Sequence, residues 1–241
     1  MGVFNCDIVP FMREHFDGHR AYEHIRRLSD LRRLPGTPGE EKAQNYIREA
    51  CGEIGIPLVE EEFTYSTWPL TVVLPMVSLL LSALCFLCSL LYLWGTSLVI
   101  IPAALLLLTI YLSFRWSAAF ERFGATGGKK KSLNLIGVVR GVKPKGTIML
   151  SAHYDAKSQV MPVVVRAGLF ILGFFNAILL GLAMLVAGIM AAAGTDALGS
   201  RPGFYVSLLP AVCLFLLVFN FTGNRSPGAL DNASGEAIIL E

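Results

Sequence analysis

The sequence predicts an α/β domain interrupted by two membrane-spanning helical hairpins, and three observations predict it. Hydrophobic residues make up 54% of the 241 positions and charged residues 16%, with a mean hydropathy of +0.58. Ordinary soluble domains hold about 45–50% and about 25%. No residue is charged across 63–114, 167–195 or 202–224. A bilayer core needs about 20 apolar residues per helix. The first run therefore holds two spans and the others one each, giving four membrane helices. Between them, polar stretches read as helices and short apolar strands, the pattern of an α/β layer. The net charge of +2 gives no argument for a nucleic-acid partner. The partner that the composition implies is a lipid bilayer.

Apolar and aromatic residues recur at helical spacing over 10–33, at Phe11, His15, Tyr22, Ile25, Leu28 and Leu31, which predicts an amphipathic helix. His15, His19 and His24 lie on or near it, without a carboxylate arranged as in a zinc motif. Thr37, Pro38 and Glu40 then occupy the N-cap, first and third positions of a second helix, and so predict a capping box. Ala43, Tyr46, Ile47 and Ala50 share its face, and Gly55 ends it. "PLVEEEFTY" predicts an edge strand.

Membrane spans are expected near 70–94 and 98–114, joined at Gly95-Thr96-Ser97. Cys85 and Cys88 read as small apolar residues within the first span. "FGATGGKKKS" reads as a flexible basic linker. "LNLIGVVRG" and "GTIMLSAHYD" read as two buried strands joined by the turn signal "VKPK". The second hairpin follows, with Asp196 and Arg201 in its short connection.

The expected division is 1–68 for the first polar part, 69–114 for hairpin 1, 115–165 for the central strands, 166–223 for hairpin 2 and 224–241 for the final loop and helix. Two hairpins return the chain to one side each time. That side carries Arg115, Arg122, Lys129, Lys130, Lys131, Lys157, Arg166 and Arg225, and the far side only Arg201. A multi-pass protein with its polar domain in the cytoplasm is expected.

His153 sits at the carboxyl end of an expected buried strand, where α/β folds place their sites. Residues two apart in an extended segment point the same way. Asp155 can therefore orient the His153 ring, as the second ring nitrogen of a metal-binding histidine requires. His-x-Asp alone also fits a histidine beside a solvated carboxylate. Asp231 precedes a helix-like "EAIILE" and could bridge two metal ions, although "DNASG" alone also fits an N-capped turn.

The blocks "GTPGEEKAQNYIREACGEIGI", "NLIGVVRG", "TIMLSAHYDAKS" and "PGALDNASGEAIILE", in that order, resemble the N-terminal half of the M28 family of zinc metallopeptidases, the aminopeptidase type. The resemblance implies an α/β/α sandwich, here incomplete, that binds two zinc ions and removes residues from peptide N-termini. It implies that His153 ligates one zinc, that Asp155 is the hydrogen-bonded partner behind it, and that Asp231 bridges both ions. Asn232 and Ser234-Gly235 shape the turn.

Two departures accompany the resemblance. Asp231 follows Asp155 by 76 positions, and a membrane hairpin fills the interval. The fold is expected to survive if each hairpin leaves and re-enters at neighbouring points. The family's Glu-Glu pair, later Asp and later His belong downstream of the Asp-Asn-x-Ser-Gly motif, and the sequence ends at Glu241. No catalytic base is therefore assigned, and these 241 residues are expected to be an inactive N-terminal fragment of a zinc aminopeptidase. Glutaminyl cyclisation at one zinc, and a non-catalytic membrane scaffold with the same partial fold, remain rival readings. A small transporter is disfavoured because the spans hold no ionisable residue other than cysteine and tyrosine.

Overall fold

A computed structural model describes residues 16–115, 122, 126–139, 146–195 and 200–241. Phe11, His15, the "VKPK" turn and Asp196 lie outside the described residues, as does the side chain of Arg201. In chain order the elements are α1 (Gly18–Asp30), α2 (Pro38–Glu53), β1 (Leu58–Ser66), α3 (Leu74–Trp94), α4 (Ile100–Arg115), β2 (Lys129–Gly137), β3 (Ser158–Gln159), α5 (Val163–Ala192), α6 (Ser200–Leu217), β4 (Thr222–Gly223) and α7 (Ser234–Leu240). The result is a mixed fold of helices with two small sheets.

The chain divides into two compact units. A polar unit gathers Met1–Tyr65, Lys130–Ser158 and Gly223–Glu241, and an apolar unit gathers Ser66–Lys129 and Gln159–Thr222. These boundaries fall at 65/66, 129/130, 158/159 and 222/223, whereas the sequence reading places them at 68/69, 114/115, 165/166 and 223/224.

In the polar unit, α1 starts where the Asp17 carboxylate accepts the His19 N–H at 2.9 Å, satisfying one of the free donors of a helix start. Leu28 and Ala21 are its buried residues, and Tyr22, counted on its apolar face, is exposed. At the start of α2 the expected capping box is altered. The Thr37 hydroxyl donates to Leu34 O at 2.7 Å, and Glu40 accepts from Gly36 N–H, one position before the N-cap. The helix ends as Gly55 suggests. With φ at +73°, Gly55 N–H donates to Gly52 O at 3.1 Å and Ile56 N–H to Cys51 O at 2.9 Å, the paired bonds of a Schellman motif.

β1 pairs with β2, and β2 begins earlier than the sequence suggests. The three lysines read as linker are strand residues. Lys131 Nζ lies 3.7 Å from Glu62, and Asn134 donates to Glu61 at 3.2 Å. These pairs run in opposite directions, so the ladder is antiparallel, and its cross-strand partners suit one another. The strand expected at 146–150 does not form. Ile148 and Met149 are 89% and 86% exposed, and the run has no strand partner among the described residues. Apolar character alone does not make a strand, because its backbone groups need a ladder.

In the apolar unit, α3, α4 and α5 lie in helical stretches long and apolar enough to cross a membrane: Pro69–Trp94, Thr96–Arg115 and Val163–Ala192. This marks a membrane protein. The apolar part of α6 is shorter, Ser207–Leu217. α3 packs on α4 and α6, and α5 packs on α4 and α6. The interior holds Leu81, Cys85, Tyr92, Ala103, Leu106, Phe174, Ala177 and Leu214. Gly173, Gly181 and Gly188 of α5 meet Cys213 and Leu214, Leu107, and Ile100 respectively, so small residues let the helices approach. Ser82 Oγ donates across the packing to Ala211 O at 2.7 Å.

The stretches flanking each hairpin are hydrogen-bonded to each other. β1 and β2 flank the first, and β3 and β4 flank the second. Beside the latter pair, Val160 N–H donates to Phe221 O at 3.0 Å.

Candidate metal centre

The polar unit brings together three segments: the connection between α1 and α2, the stretch 151–157, and the loop that leads into α7. Tyr154 anchors the second of these. It packs, partly buried, against both apolar clusters of the unit, the one with Ile47 and Leu240 and the one with Leu28 and Ala233. Its hydroxyl donates to Leu133 O and accepts from Gln44 Nε2 at 3.0 Å. Burial pushes its phenol up, and hydrogen bonds with Ser132 and Gln44 oppose that. Because successive side chains of extended backbone alternate, a half-buried Tyr154 turns His153 and Asp155 to the other side together.

His153 Nδ1 lies 3.1 Å from Asp155 Oδ1, and its Nε2 lies 3.1 Å from Asp231 Oδ1. Both ring nitrogens therefore face carboxylate oxygens. A neutral imidazole carries one N–H. The second nitrogen then opposes an oxygen lone pair unless a second proton or a cation intervenes. Asp231 is well exposed, with 87% of its side chain open to solvent, so the edge of the ring can be reached from outside.

Asp231 and Asn232 stand in the turn before α7, and the peptide between them is cis. Ala233 N–H closes this turn on Gly228 O at 3.1 Å. Asn232 lies against Gly235, where a Cβ would fall 2.4 Å from Asn232 Oδ1. A side chain at that position would displace Asn232.

Sequence reasoning missed three residues here. Arg33 is fully buried. It donates to Tyr154 O at 2.7 Å, Gly228 O at 2.8 Å and Pro227 O at 3.1 Å. Burial lowers its pKa, and the charges of Asp155, Glu236 and Asp231 oppose that. Gly228 takes a left-handed φ of +63°, for which only "SPG" was a signal. Glu236 is buried, and its carboxyl is pushed up to about 7 by that burial, against the opposing charges of Arg33 and His153. His19 is exposed, and His24 instead meets the Tyr46 hydroxyl at 2.6 Å.

Zinc bonds nitrogen and oxygen ligands at about 2.0–2.2 Å, so two ligands on one tetrahedral ion stand roughly 3.4 Å apart. The 3.1 Å between His153 Nε2 and Asp231 Oδ1 is near that separation, and Asp155 supplies the carboxylate behind the imidazole. The spacing suits two ligands of one zinc ion, and it is equally that of a direct hydrogen bond. Among the described residues no group of three His, Cys, Asp or Glu side chains converges to complete the coordination. Comparisons with family models, with curated proteins and with solved structures found no match.

Proposed function

We propose that this chain is the front part of a membrane-embedded, zinc-dependent aminopeptidase of the M28 type, acting on the N-terminal residues of peptides. The observation that carries the reading is the single imidazole held between two carboxylates, with the Nε2 side open to a cation. His153 and Asp231 would hold zinc, Asp231 would bridge to a second ion, Asp155 would fix the ring, and Asn232 would shape the turn. Zinc bound there would supply Lewis-acid polarisation of a carbonyl and activation of a water. The chain's own part is to present one neutral nitrogen and one carboxylate oxygen at fixed spacing. The resemblance implies a general base and further ligands downstream of the Asp-Asn-x-Ser-Gly motif, and no residue here is assigned to those roles.

The polar unit is proposed to be part of an α/β/α sandwich on the cytoplasmic side, with α6 as a fourth membrane span. Digestion of the polar segments by protease added outside right-side-out vesicles would sink that orientation.

Calorimetric titration of the detergent-solubilised chain with zinc tests the site. Binding is expected, weakened at least about tenfold in His153→Ala and in Asp231→Ala, and about 10–100-fold in Asp155→Asn. Binding that ignores all three substitutions would refute the reading. A non-catalytic membrane scaffold with the same partial fold is the alternative, and it leads if zinc does not bind.

A further inference from the structure

Arg33 occupies a position where its charge needs a reason. A guanidinium removed from water is costly unless its donors are satisfied. Here Nη1 and Nη2 are satisfied by main-chain carbonyls of two distant segments, while Nε is buried with no hydrogen-bond partner among the described residues. Nη1 donates to Tyr154 O, between His153 and Asp155, and Nη2 donates to Gly228 O and Pro227 O. The arginine's own backbone continues the grip, since Ala156 N–H donates to Arg33 O at 2.9 Å. The first segment is thus held on both sides of Asp155.

The second segment is held at the root of the metal-facing turn. The Gly228 carbonyl that receives Arg33 also receives Ala233 N–H, which closes the turn carrying Asp231. The approach is tight. A Cβ on Gly228 would lie 2.4 Å from Ala156 Cβ and 2.7 Å from Arg33 Nη2. The left-handed φ and this closeness both call for glycine.

We propose that Arg33 is the positioning residue of the His153–Asp231 pair: one guanidinium joins the roots of the two loops and thereby sets the 3.1 Å between their metal-facing atoms. This rests on the zinc reading above. Arg33 touches no metal and no substrate. It acts through the backbone beside the ligands, and its positive charge also lies close enough to be felt by Asp155 and Asp231. A lysine keeps the charge but lacks the planar fork that reaches two segments at once.

Cobalt(II) titration of the full chain in detergent tests this, read as affinity and as the visible d–d spectrum, with unfolding followed by circular dichroism. Arg33→Lys is expected to weaken cobalt at least about tenfold and to alter the band shape, as loss of an outer support of a metal site does. Asn224→Ala separates positioning from general stability. Asn224 ties the same connection through Leu34 N–H at 3.1 Å and Arg32 O at 3.0 Å, yet leaves the guanidinium contacts intact. Asn224→Ala is expected to unfold earlier while keeping the wild-type cobalt affinity and spectrum. A folded Arg33→Lys chain that binds cobalt like wild type overturns the proposal. So does an Asn224→Ala chain whose cobalt affinity falls tenfold, and this second arm stays readable if Arg33→Lys does not fold. Wild type that binds neither cobalt nor zinc removes the zinc reading itself. Unchanged binding in Arg33→Lys removes only the role of Arg33.

Discussion

In the apolar unit the closely packed face of α5 carries Gly173, Ala177, Gly181 and Gly188, whereas the polar unit buries Arg33, Glu40 and Glu236. The first unit faces outward with large apolar side chains and packs inward through small ones, because bilayer-like surroundings give no hydrophobic drive between helices and favour close van der Waals contact. The second has small apolar clusters and also buries charged groups. Two of these are fastened by hydrogen bonds: Glu40 to Gly36 and Ser132, and Arg33 to three carbonyls. The difference teaches that a buried charge in this chain marks the place where separate backbone segments must meet.

Substitutions confined to one unit can break or sharpen this contrast. The largest effect is expected from Leu28→Ala, which empties a fully buried site of the polar unit and costs about 2–5 kcal/mol. Hydrogen exchange is expected to accelerate in α1 and α2 and to stay unchanged in α3 to α5. Acceleration in α5 as well would show that the two units are not stabilised separately.

Gly188→Leu inverts the experiment. A Cβ there would stand 2.6 Å from Ile100 Cγ1 and 3.2 Å from the Thr96 carbonyl oxygen, and overpacking of this kind costs about 1–3 kcal/mol. Thermal unfolding in detergent is expected to lose helix packing in the apolar unit while exchange in α1 and α2 holds.

Glu236 makes the polar unit sensitive to pH. The folded protein keeps its proton up to about 7, while the unfolded chain releases it near 4.5. The folded state therefore binds more protons within that window. The stability this contributes is fully present below about 4.5 and is lost as pH rises through about 7, on the order of 3 kcal/mol. Denaturant midpoints of the metal-free chain are expected to fall across that range, and Glu236→Gln is expected to flatten the fall. An equally steep profile in the variant would assign the dependence to another group. The smallest effect belongs to Lys131→Ala, since the pair with Glu62 is 3.7 Å long and largely solvated. No measurable change in unfolding is expected.

Much of the architecture was legible because its signals are local. A long charge-free run announces membrane helices, and three of them stand within a few residues of the expected positions. Gly55 announced the end of α2. Lys129–Lys131 misled because three adjacent lysines look like a solvated linker, yet Glu62 opposite makes one of them a strand partner. Ile148-Met149-Leu150 misled in the other direction, since an apolar run does not reveal whether a neighbouring strand exists. At the candidate site, the adjacency of His153 and Asp155 follows from alternation alone. The meeting of His153 with Asp231 was suggested by the place of Asp231 at a loop-to-helix junction and by resemblance, and not by spacing. Arg33 left no trace, because its partners are main-chain carbonyls 121, 194 and 195 residues away and a carbonyl has no letter in the sequence.

The paired strands around each hairpin carry one more consequence. To the polar unit a hairpin is a loop whose two ends are already pinned side by side, by β1 with β2 and by β3 with β4. The entropy of closing such a loop rises only about 0.6 kcal/mol for each doubling of its length. A short turn and a long helical hairpin are therefore nearly equivalent from the standpoint of that unit's folding equilibrium. Each ladder acts as a socket into which very different lengths of chain can be spliced, so a polar fold of this kind can acquire or shed a membrane anchor without redesigning its interior.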